Sequence, residues 1–335
     1  MEKKMMIALG VVAIVIVAAV GVALVLGNKG SASTSSSIKI LDLQKDSESD
    51  TYSPLDKEAV YNGSYPLSRY LYLYTDGVPG SDSSIYKWLN YIYGADGQQR
   101  VDDAGFYGLQ DSDLQAMLAQ LASPTTTGIT GDFSESGSTT LGELSLLWAA
   151  EFKDDTGITV TITTPGSGTG ITNFLNGEAD VVQSSRAMKA SEKASAASKG
   201  IDVIEWKVAV DGLAIIVNAD NPVSSLTIAQ LEGIYNGTIT NWNQVGGNDQ
   251  SIQLYGREDT SGSYASFKDL VLTHGDDYAS SMQSFSSNAQ IVPEVESNAG
   301  GIGYVGIGYA VDANGTSANV NMVSYQVGAA ERSEI

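Results

Sequence analysis

The sequence predicts an α/β fold, and three features of its pattern support this prediction. Short apolar stretches of strand length alternate with amphipathic stretches of helix length beyond residue 37. Clusters of Gly, Ser, Thr, Asn and Pro separate these stretches, as expected for turns between elements. No segment repeats with a period of about 20 to 50 residues, which argues against a solenoid. At 335 residues, the chain is long enough for two domains of ordinary size.

The individual elements follow from hydrophobic periodicity. Apolar runs predict strands at residues 70–75, 158–163, 180–183 and 213–218. Helical periodicity predicts helices at residues 85–104, 114–122, 141–152, 171–175, 190–198 and 227–235. The segment 123–136 is rich in Ser, Thr and Gly, and this composition is typical of a linker.

The composition excludes several classes of protein. Asp and Glu number 39 against 18 Lys and Arg, so the formal net charge is −21. Such an acidic surface repels nucleic acid, and no nucleic-acid partner is expected. The chain has no Cys and a single His, His274, which removes disulfides, thiolate nucleophiles, Cys-rich zinc sites and multi-His sites. We therefore expect neither an enzyme nor a protein that carries a metal or another cofactor.

The N-terminal residues predict export. Lys3 and Lys4 precede an apolar run at residues 5–27, which as a helix would span roughly 35 Å and cross a bilayer. The lysines favour a cytoplasmic N-terminus and an exported remainder. A cleaved signal peptide is the alternative, although its apolar core is normally shorter. Residues 28–37 predict a flexible linker, so the remaining chain is expected on the extracytoplasmic face of the membrane, anchored or secreted.

Three polar loops are the candidates for a binding site. Residues 136–141 (SGSTTL), 165–170 (PGSGTG) and 257–263 (REDTSGS) each place Ser, Thr and Gly where a helix should begin. Backbone N–H groups at a helix N-terminus, with Gly allowing close approach, suit an oxyanion. Taken alone, each loop is more typical of a plain helix cap. Arg257 adds a forked cation to the third loop, and the combination predicts anion binding without catalysis.

The order of motifs over residues 137–309 resembles the phosphate-binding protein of the phosphate ABC transporter. The matching motifs are GSTTL, PGSGTG, DVVQSSR, DGLAIIVNADNPV, LTIAQLEGIYNGTITNWNQVGG, GREDTSGS and GGIGYVGIGYA. The resemblance implies a two-lobed, periplasmic-binding-protein-like fold of type II, whose lobes are joined by two crossover strands and close over one oxyanion. It also implies a solute-binding protein that captures inorganic phosphate and delivers it to an ABC permease.

One part of this resemblance is out of order. GSYPLSRYLYLYT (63–75) and GADGQQRVDDAGFYGL (94–109) resemble segments that normally end the chain in this family, yet here they precede GSTTL. This order implies a circular permutation, which proteins tolerate when the old termini lie close together on the surface. Lobe 1 would then comprise residues 67–210, and lobe 2 residues 38–66 and 211–327, followed by a tail at 328–335. A fragment of a tandem array is the alternative.

The resemblance also implies a set of phosphate ligands. They are the hydroxyls of Thr140, Ser167, Ser185, Ser261 and Ser263, the backbone N–H groups of Leu141 and Gly262, and the guanidinium of Arg257 as the only full positive charge. Asp259 would orient Arg257 or cap the helix that follows. Arg186 would be either a second cation at the rim or part of an ion pair between the lobes.

The residue at position 185 leaves the ligand open, and two alternative functions remain. Ser185 stands where some family members have a carboxylate that accepts the phosphate proton, and a hydroxyl does not repel fully ionised oxyanions. A binding protein for sulfate, molybdate or arsenate would share the same architecture. A surface module that retains the fold for sensing or assembly is the third possibility.

Overall fold

The computed structural model describes residues 38–311. Residues 1–37 and 312–335 lie outside the described part, and with them the apolar run at 5–27, the linker at 28–37 and the tail at 328–335. Within residues 38–311, no helix combines the length and the hydropathy needed to cross a bilayer.

Strands and helices alternate along the described residues. The strands are β1 Ile38–Gln44, β2 Ser68–Asp76, β3 Phe133–Gly137, β4 Val160–Thr163, β5 Val181–Ser184, β6 Val203–Gly212, β7 Ala214–Asn218, β8 Ser225–Thr227, β9 Gln253–Arg257, β10 Gln283–Phe285 and β11 Gly301–Val305. The α-helices are α1 Lys57–Tyr61, α2 Ser84–Ile92, α3 Ala95–Asp103, α4 Asp111–Leu121, α5 Gly142–Thr156, α6 Ser167–Leu175, α7 Ala190–Ser198, α8 Ile228–Tyr235, α9 Gly262–Val271 and α10 Ile291–Ser297.

The strands form two mixed sheets, which confirms the α/β prediction. The five-stranded sheet has the order β4-β3-β5-β2-β6, in which β3 runs parallel to β4 and β5. The six-stranded sheet has the order β10-β9-β11-β7-β1-β8, in which β7 runs antiparallel to β11 and β1. A single residue, Leu213, separates β6 of the first sheet from β7 of the second, so the chain passes directly between them.

The earliest strands of the described chain lie inside the sheets rather than at their edges. β2 pairs antiparallel with β6 from Ser68↔Gly212 to Asp76↔Val203, and its other edge pairs with β5. β1 lies between β7 and β8, with Ile40 opposite Ile216. Each sheet is therefore completed by residues that come long before its other strands in the chain.

Aromatic side chains pack helices against one another and against a sheet. Trp88 of α2 packs on Trp148 and Phe152 of α5, with ring centroids 6.2 and 5.1 Å apart. Phe267 of α9 stacks on Tyr304 of β11 at 4.3 Å. These five side chains are essentially inaccessible to solvent, so they fix α5 and α9, the helices that start at two of the polar loops.

Two predictions made from the sequence need correction. The helix expected at 85–104 is two helices, because α2 ends at Ile92 and α3 begins at Ala95. The helices approach so closely that a Cβ on Gly97 would lie 2.3 Å from the carbonyl oxygen of Tyr91. The segment 123–136, expected as a linker, contains most of β3, where the carboxylic side chain of Glu135 is fully buried.

Candidate functional site

The first loop follows β3 and leads into α5. Gly137 has φ of 149°, and a Cβ there would lie 2.0 Å from the carbonyl oxygen of Gln183, so the position requires glycine. The hydroxyl oxygen of Ser138 accepts hydrogen bonds from the N–H groups of Thr140 at 3.1 Å and Leu141 at 3.3 Å. The N–H of Leu141, expected to bind the ligand, is therefore hydrogen-bonded within the loop.

The second loop contacts both of the others. The N–H of Gly166 donates to the carbonyl of Gly137 at 2.8 Å, and the N–H of Gly168 donates to the carbonyl of Thr260 at 3.0 Å. Gly166 has φ of 103°, a conformation that L side chains rarely adopt. Between these two bonds, Ser167 begins α6 and is fully buried. The three loops predicted separately from the sequence therefore form one structure.

The third loop contacts the second loop at Gly262. A Cβ on Gly262 would lie 2.4 Å from the hydroxyl oxygens of both Ser167 and Ser185. These two hydroxyl oxygens are 3.4 Å apart, and the N–H of Ser185 donates to Ser167 Oγ at 3.2 Å. The backbone at the first residue of α9 therefore lies directly beside both serines, and the position has no room for a larger side chain unless they move.

Two more hydroxyls meet across the loops. Thr140 Oγ1 of the first loop and Ser263 Oγ of the third are 3.1 Å apart, and both side chains are buried. Ser261, also buried, caps α9 by accepting from the N–H groups of Ser263 and Tyr264. The structure thus gathers the hydroxyls expected from the sequence, namely Thr140, Ser167, Ser185, Ser261 and Ser263, around the N-terminus of α9.

Arg257, at the end of β9, is buried and hydrogen-bonded on all three nitrogens. Its Nε donates to the carbonyl of Phe285 at 3.1 Å and its Nη1 to Asn288 Oδ1 at 3.0 Å. Its Nη2 donates to Thr139 Oγ1 at 2.6 Å and to the carbonyl of Ser286 at 2.7 Å. Burial lowers the pKa of Arg257 to about 10, so the group stays protonated at neutral pH. The guanidinium therefore links the first loop to the segment after β10.

The expected role of Asp259 is corrected by this arrangement. Asp259 is exposed, and within residues 38–311 the hydrogen bonds of Arg257 go to Thr139, Phe285, Ser286 and Asn288. The helix cap is Ser261, not Asp259. The physical reason is the parallel pairing of β9 with β10, which sets Phe285 opposite Arg257 and supplies backbone carbonyls to the guanidinium.

The sequence analysis missed a second guanidinium. Arg69 of β2 donates from Nε to Asp211 Oδ2 at 2.8 Å and from Nη2 to Ser263 Oγ at 3.0 Å. Arg257 is therefore not the only full positive charge here, although Asp211 neutralises Arg69. A signal was present in the sequence, because the period-two alternation of β2 places Arg69 on the buried face between Leu67 and Leu71.

Arg186 forms an ion pair, but the pair does not cross between the sheets. Its Nη1 and Nη2 donate to the two carboxylate oxygens of Glu192 at 2.8 and 2.7 Å. Arg186 follows β5 of the five-stranded sheet and Glu192 lies on α7, so both belong to residues 67–210. The pairing lowers the pKa of Glu192 against the opposing effect of burial, and it occupies the guanidinium in a bidentate contact.

Three buried charged side chains adjoin the hydroxyl cluster: Arg69 bonds to Ser263, Asp211 bonds to Arg69, and Arg257 bonds to Thr139 of the first loop. Together they carry one net positive charge. Arg69 contacts a hydroxyl of the cluster directly, whereas Arg257 is surrounded by the accepting oxygens of Thr139, Phe285, Ser286 and Asn288. Chemically, a site lined by hydroxyls and backbone N–H groups can hold a small anion by hydrogen bonding. Within residues 38–311, no cluster of His, Cys, Asp or Glu is arranged to bind a metal.

Comparison with known proteins identifies the family and relatives of this chain. Residues 122–333 match the family model of the PBP superfamily domain. The phosphate-binding protein PstS of Pseudomonas aeruginosa is 34% identical over 196 residues, covering 54% of this chain and 60% of that protein. PstS of Bacillus subtilis is 31% identical over 194 residues, covering 58% of this chain and 63% of that protein.

A solved structure also matches. An ABC-type phosphate transport receptor from Vibrio cholerae is 32% identical, with a TM-score of 0.43, covering 54% of this chain and 73% of that one. The chain spans about 60% of the length of the curated relatives it matches. The sequence relatives confirm the resemblance to the phosphate-binding protein of the phosphate ABC transporter, and the family model shows that this chain belongs to the PBP superfamily.

Proposed function

We propose that this protein captures inorganic phosphate outside the cytoplasm and delivers it to an ABC permease. The observation that carries the proposal is the convergence of three Ser/Thr/Gly loops on one buried cluster with a net charge of one, set by Arg69, Asp211 and Arg257. Hydrogen bonding by neutral hydroxyls and N–H groups can hold an oxyanion inside a protein of net charge −21. The named relatives support phosphate as the oxyanion.

The proposed ligands are those that line this cluster. They are the hydroxyls of Thr140, Ser167, Ser185, Ser261 and Ser263, the N–H groups of Leu141 and Gly262, and the guanidinium of Arg257. Leu141 would have to exchange its bond to Ser138 Oγ for one to phosphate. Arg257 would act mostly by its charge and by orienting Thr139 and Asn288, because four of its N–H groups already donate to protein acceptors.

The proposed mechanism is closure of two lobes on the anion. Lobe 1 would be residues 67–210, which contain the whole five-stranded sheet apart from the end of β6. Lobe 2 would be residues 38–66 and 211–327, which contain the six-stranded sheet. Thr140 and Ser263 come from different lobes, so the 3.1 Å contact between their hydroxyl oxygens would form only when the lobes close.

The order of segments supports a circular permutation within this family. The family model covers residues 122–333, and residues 38–121 precede it. β1 and β2 nevertheless lie between later strands of both sheets. A variant that moves residues 38–121 behind residue 335, through a flexible linker, should fold and bind phosphate as the natural chain does. An unfolded product with an adequate linker would argue against the permutation.

The proposed location is the extracytoplasmic face of the cell membrane. The apolar run at residues 5–27 would serve as the anchor, or would be lost if it is a cleaved signal. We propose no catalytic role, because the only His of the chain, His274, is largely exposed and hydrogen-bonds to Glu232, away from the hydroxyl cluster.

Calorimetric titration of the full chain in mild detergent tests the proposal. Phosphate should bind, and Arg257→Lys should weaken binding at least tenfold, because an ammonium cannot reproduce the forked contacts to Thr139 and Asn288. Arg100→Lys is the matched control, since Arg100 pairs with Glu151 on α5, outside the hydroxyl cluster. A folded chain that binds no phosphate would refute the transport function and favour a surface module.

A further inference from the structure

The guanidinium of Arg69 has one nitrogen whose hydrogen bonds go to no group of residues 38–311. The side chain is only 9% exposed, and its Nη1 is buried without a hydrogen-bond partner in this part of the chain. Buried donors without an acceptor are uncommon in folded proteins, because their desolvation is not compensated. Such a donor beside a binding site is a candidate contact for the ligand.

The other two nitrogens of Arg69 are fully used. Nε and Nη2 both donate to Asp211 Oδ2, at 2.8 and 2.6 Å, and Nη2 also donates to Ser263 Oγ at 3.0 Å. Arg69 and Asp211 lie directly opposite each other on β2 and β6. The N–H of Ile307 donates to Asp211 Oδ1 at 2.8 Å. The carboxylate is therefore held from two sides, and it keeps the guanidinium in one orientation.

The planar shape of the guanidinium fixes the direction of Nη1. Nε and Nη2 form one edge of the group, which faces Asp211, and Nη2 and Nη1 form the adjacent edge. The N–H of Nη2 on this second edge is donated to Ser263, so the neighbouring N–H of Nη1 runs parallel to it. Because Ser263 is a proposed phosphate ligand, an unused N–H of Arg69 is directed at the proposed site.

The hydroxyl pair of Thr140 and Ser263 lies between two guanidinium groups. Arg69 donates to Ser263, whose Oγ is 3.1 Å from Thr140 Oγ1. On the other side, Arg257 donates to Thr139, the neighbour of Thr140. Burial is the main cause of the lowered pKa of Arg257, and the positive charge of Arg69 lowers this pKa further. The two cations therefore repel each other, and an anion bound at the hydroxyl pair stabilises both.

Arg69 has more unused donors than Arg257. Four N–H groups of Arg257 donate to protein acceptors, which leaves one of its five for a ligand. Arg69 keeps both N–H groups of Nη1. The guanidinium that sequence motifs did not indicate is thus the one with more hydrogen bonds to give.

We infer that Arg69 is a direct ligand of the bound phosphate, through Nη1, in addition to the ligands proposed above. The inference rests on the proposed function and deepens it. The anion is held at the hydroxyl pair between two guanidinium groups, of which Arg257 acts mainly by its charge and Arg69 by hydrogen bonding. Asp211 orients Arg69 and offsets its charge, so the site has a second guanidinium without a second net charge.

Calorimetry of the full chain in mild detergent, with inorganic phosphate, tests this inference. Arg69→Gln together with Asp211→Asn removes one positive and one negative charge, so the net charge of the cluster is unchanged. The two new amides can hydrogen-bond to each other across β2 and β6. The double variant should bind phosphate at least tenfold more weakly, because a hydrogen bond from a charged donor is lost. If Arg69 only paired with Asp211, the neutral pair would preserve the affinity.

The matched control is a second charge-neutral replacement on the same strand. Lys207 of β6 pairs with Asp113 of α4 at 2.9 Å, outside the hydroxyl cluster. Lys207→Gln together with Asp113→Asn should leave phosphate affinity unchanged. A loss in this control as large as in the first double variant would overturn the inference, since any broken ion pair of β6 would then have the same effect.

A crystal structure of the phosphate complex gives a direct readout that does not depend on a variant. It should place a phosphate oxygen about 2.7–3.2 Å from Arg69 Nη1. Phosphate bound in the cluster without contact to Nη1 would overturn the inference and leave the proposed function intact. Natural affinity in the Arg69 and Asp211 double variant would do the same. A folded natural chain that binds no phosphate would overturn both proposals.

Discussion

Glu135 allows a quantitative test of how the first loop is supported. This carboxyl lies on β3, two residues before Gly137, and it is fully buried. Its Oε2 accepts from the indole N–H of Trp88 at 3.0 Å, whereas Oε1 has no hydrogen-bond partner in the described part of the chain. Burial raises the pKa of Glu135 from 4.5 to about 7.

The sign and size of the effect on stability follow from proton linkage. Between about pH 4.5 and about pH 7, the folded protein holds a proton that the unfolded chain has released. Stability from this group is therefore fully present below the lower pH and is lost as the pH rises through the upper one. By pH 8, this shift in the pKa of Glu135 has lowered the unfolding free energy by about 3 kcal/mol relative to its value at acidic pH.

Glu135→Gln removes the titration and keeps an oxygen for the Trp88 N–H. We expect the unfolding free energy of the variant, relative to the natural protein, to rise by about 3 kcal/mol between pH 4 and pH 8. Urea unfolding followed by circular dichroism measures this difference. Glu178→Gln, at an exposed position, is the control and should change little at either pH. A Glu135→Gln effect that is the same at both pH values would refute the reasoning.

Two further predictions concern glycines at close contacts. Gly262→Ala should abolish measurable phosphate binding in calorimetry while the protein stays folded, because the new Cβ would lie 2.4 Å from the hydroxyl oxygens of Ser167 and Ser185 and push the loops apart; unchanged affinity would contradict the site. Gly97→Ala should lower the free energy of unfolding in urea by about 1–3 kcal/mol, because its Cβ would meet backbone atoms of α2. An unchanged free energy of unfolding in Gly97→Ala would show that the close approach of α2 and α3 is unimportant for stability.

The polar loops could be predicted because their signals are local. A cluster of Ser, Thr and Gly before an amphipathic segment marks a helix N-terminus, and α5, α6 and α9 do begin at residues 142, 167 and 262. The glycine requirements at Gly137 and Gly166 are local too, since both have positive φ. The motif order shared with a known family then assigns the three loops to one site.

The partners of the charged residues could not be predicted in the same way. Asp259 is two residues from Arg257 and is the partner that proximity in the chain suggests, yet Arg257 bonds to Asn288, which is 31 positions away. Arg69 contacts Ser263 across 194 positions. Neither contact leaves a spacing in the sequence. The pairing of β9 with β10 brings Asn288 to Arg257, whereas Arg69 of β2 and Ser263 of α9 meet only through the packing of elements that are not paired with each other.

By itself, the sequence determined the α/β class, the three polar loops at helix starts and the family, because turn chemistry, periodicity and motif order are properties of short segments. Tertiary structure alone decided where the helix at 85–104 breaks, which hydroxyls touch, and which groups neutralise or orient the two buried guanidinium groups. The physical reason is that a buried donor must find an acceptor wherever the packed chain supplies one. Which acceptor is near depends on sheet register and loop contact, and these join residues that are remote in sequence.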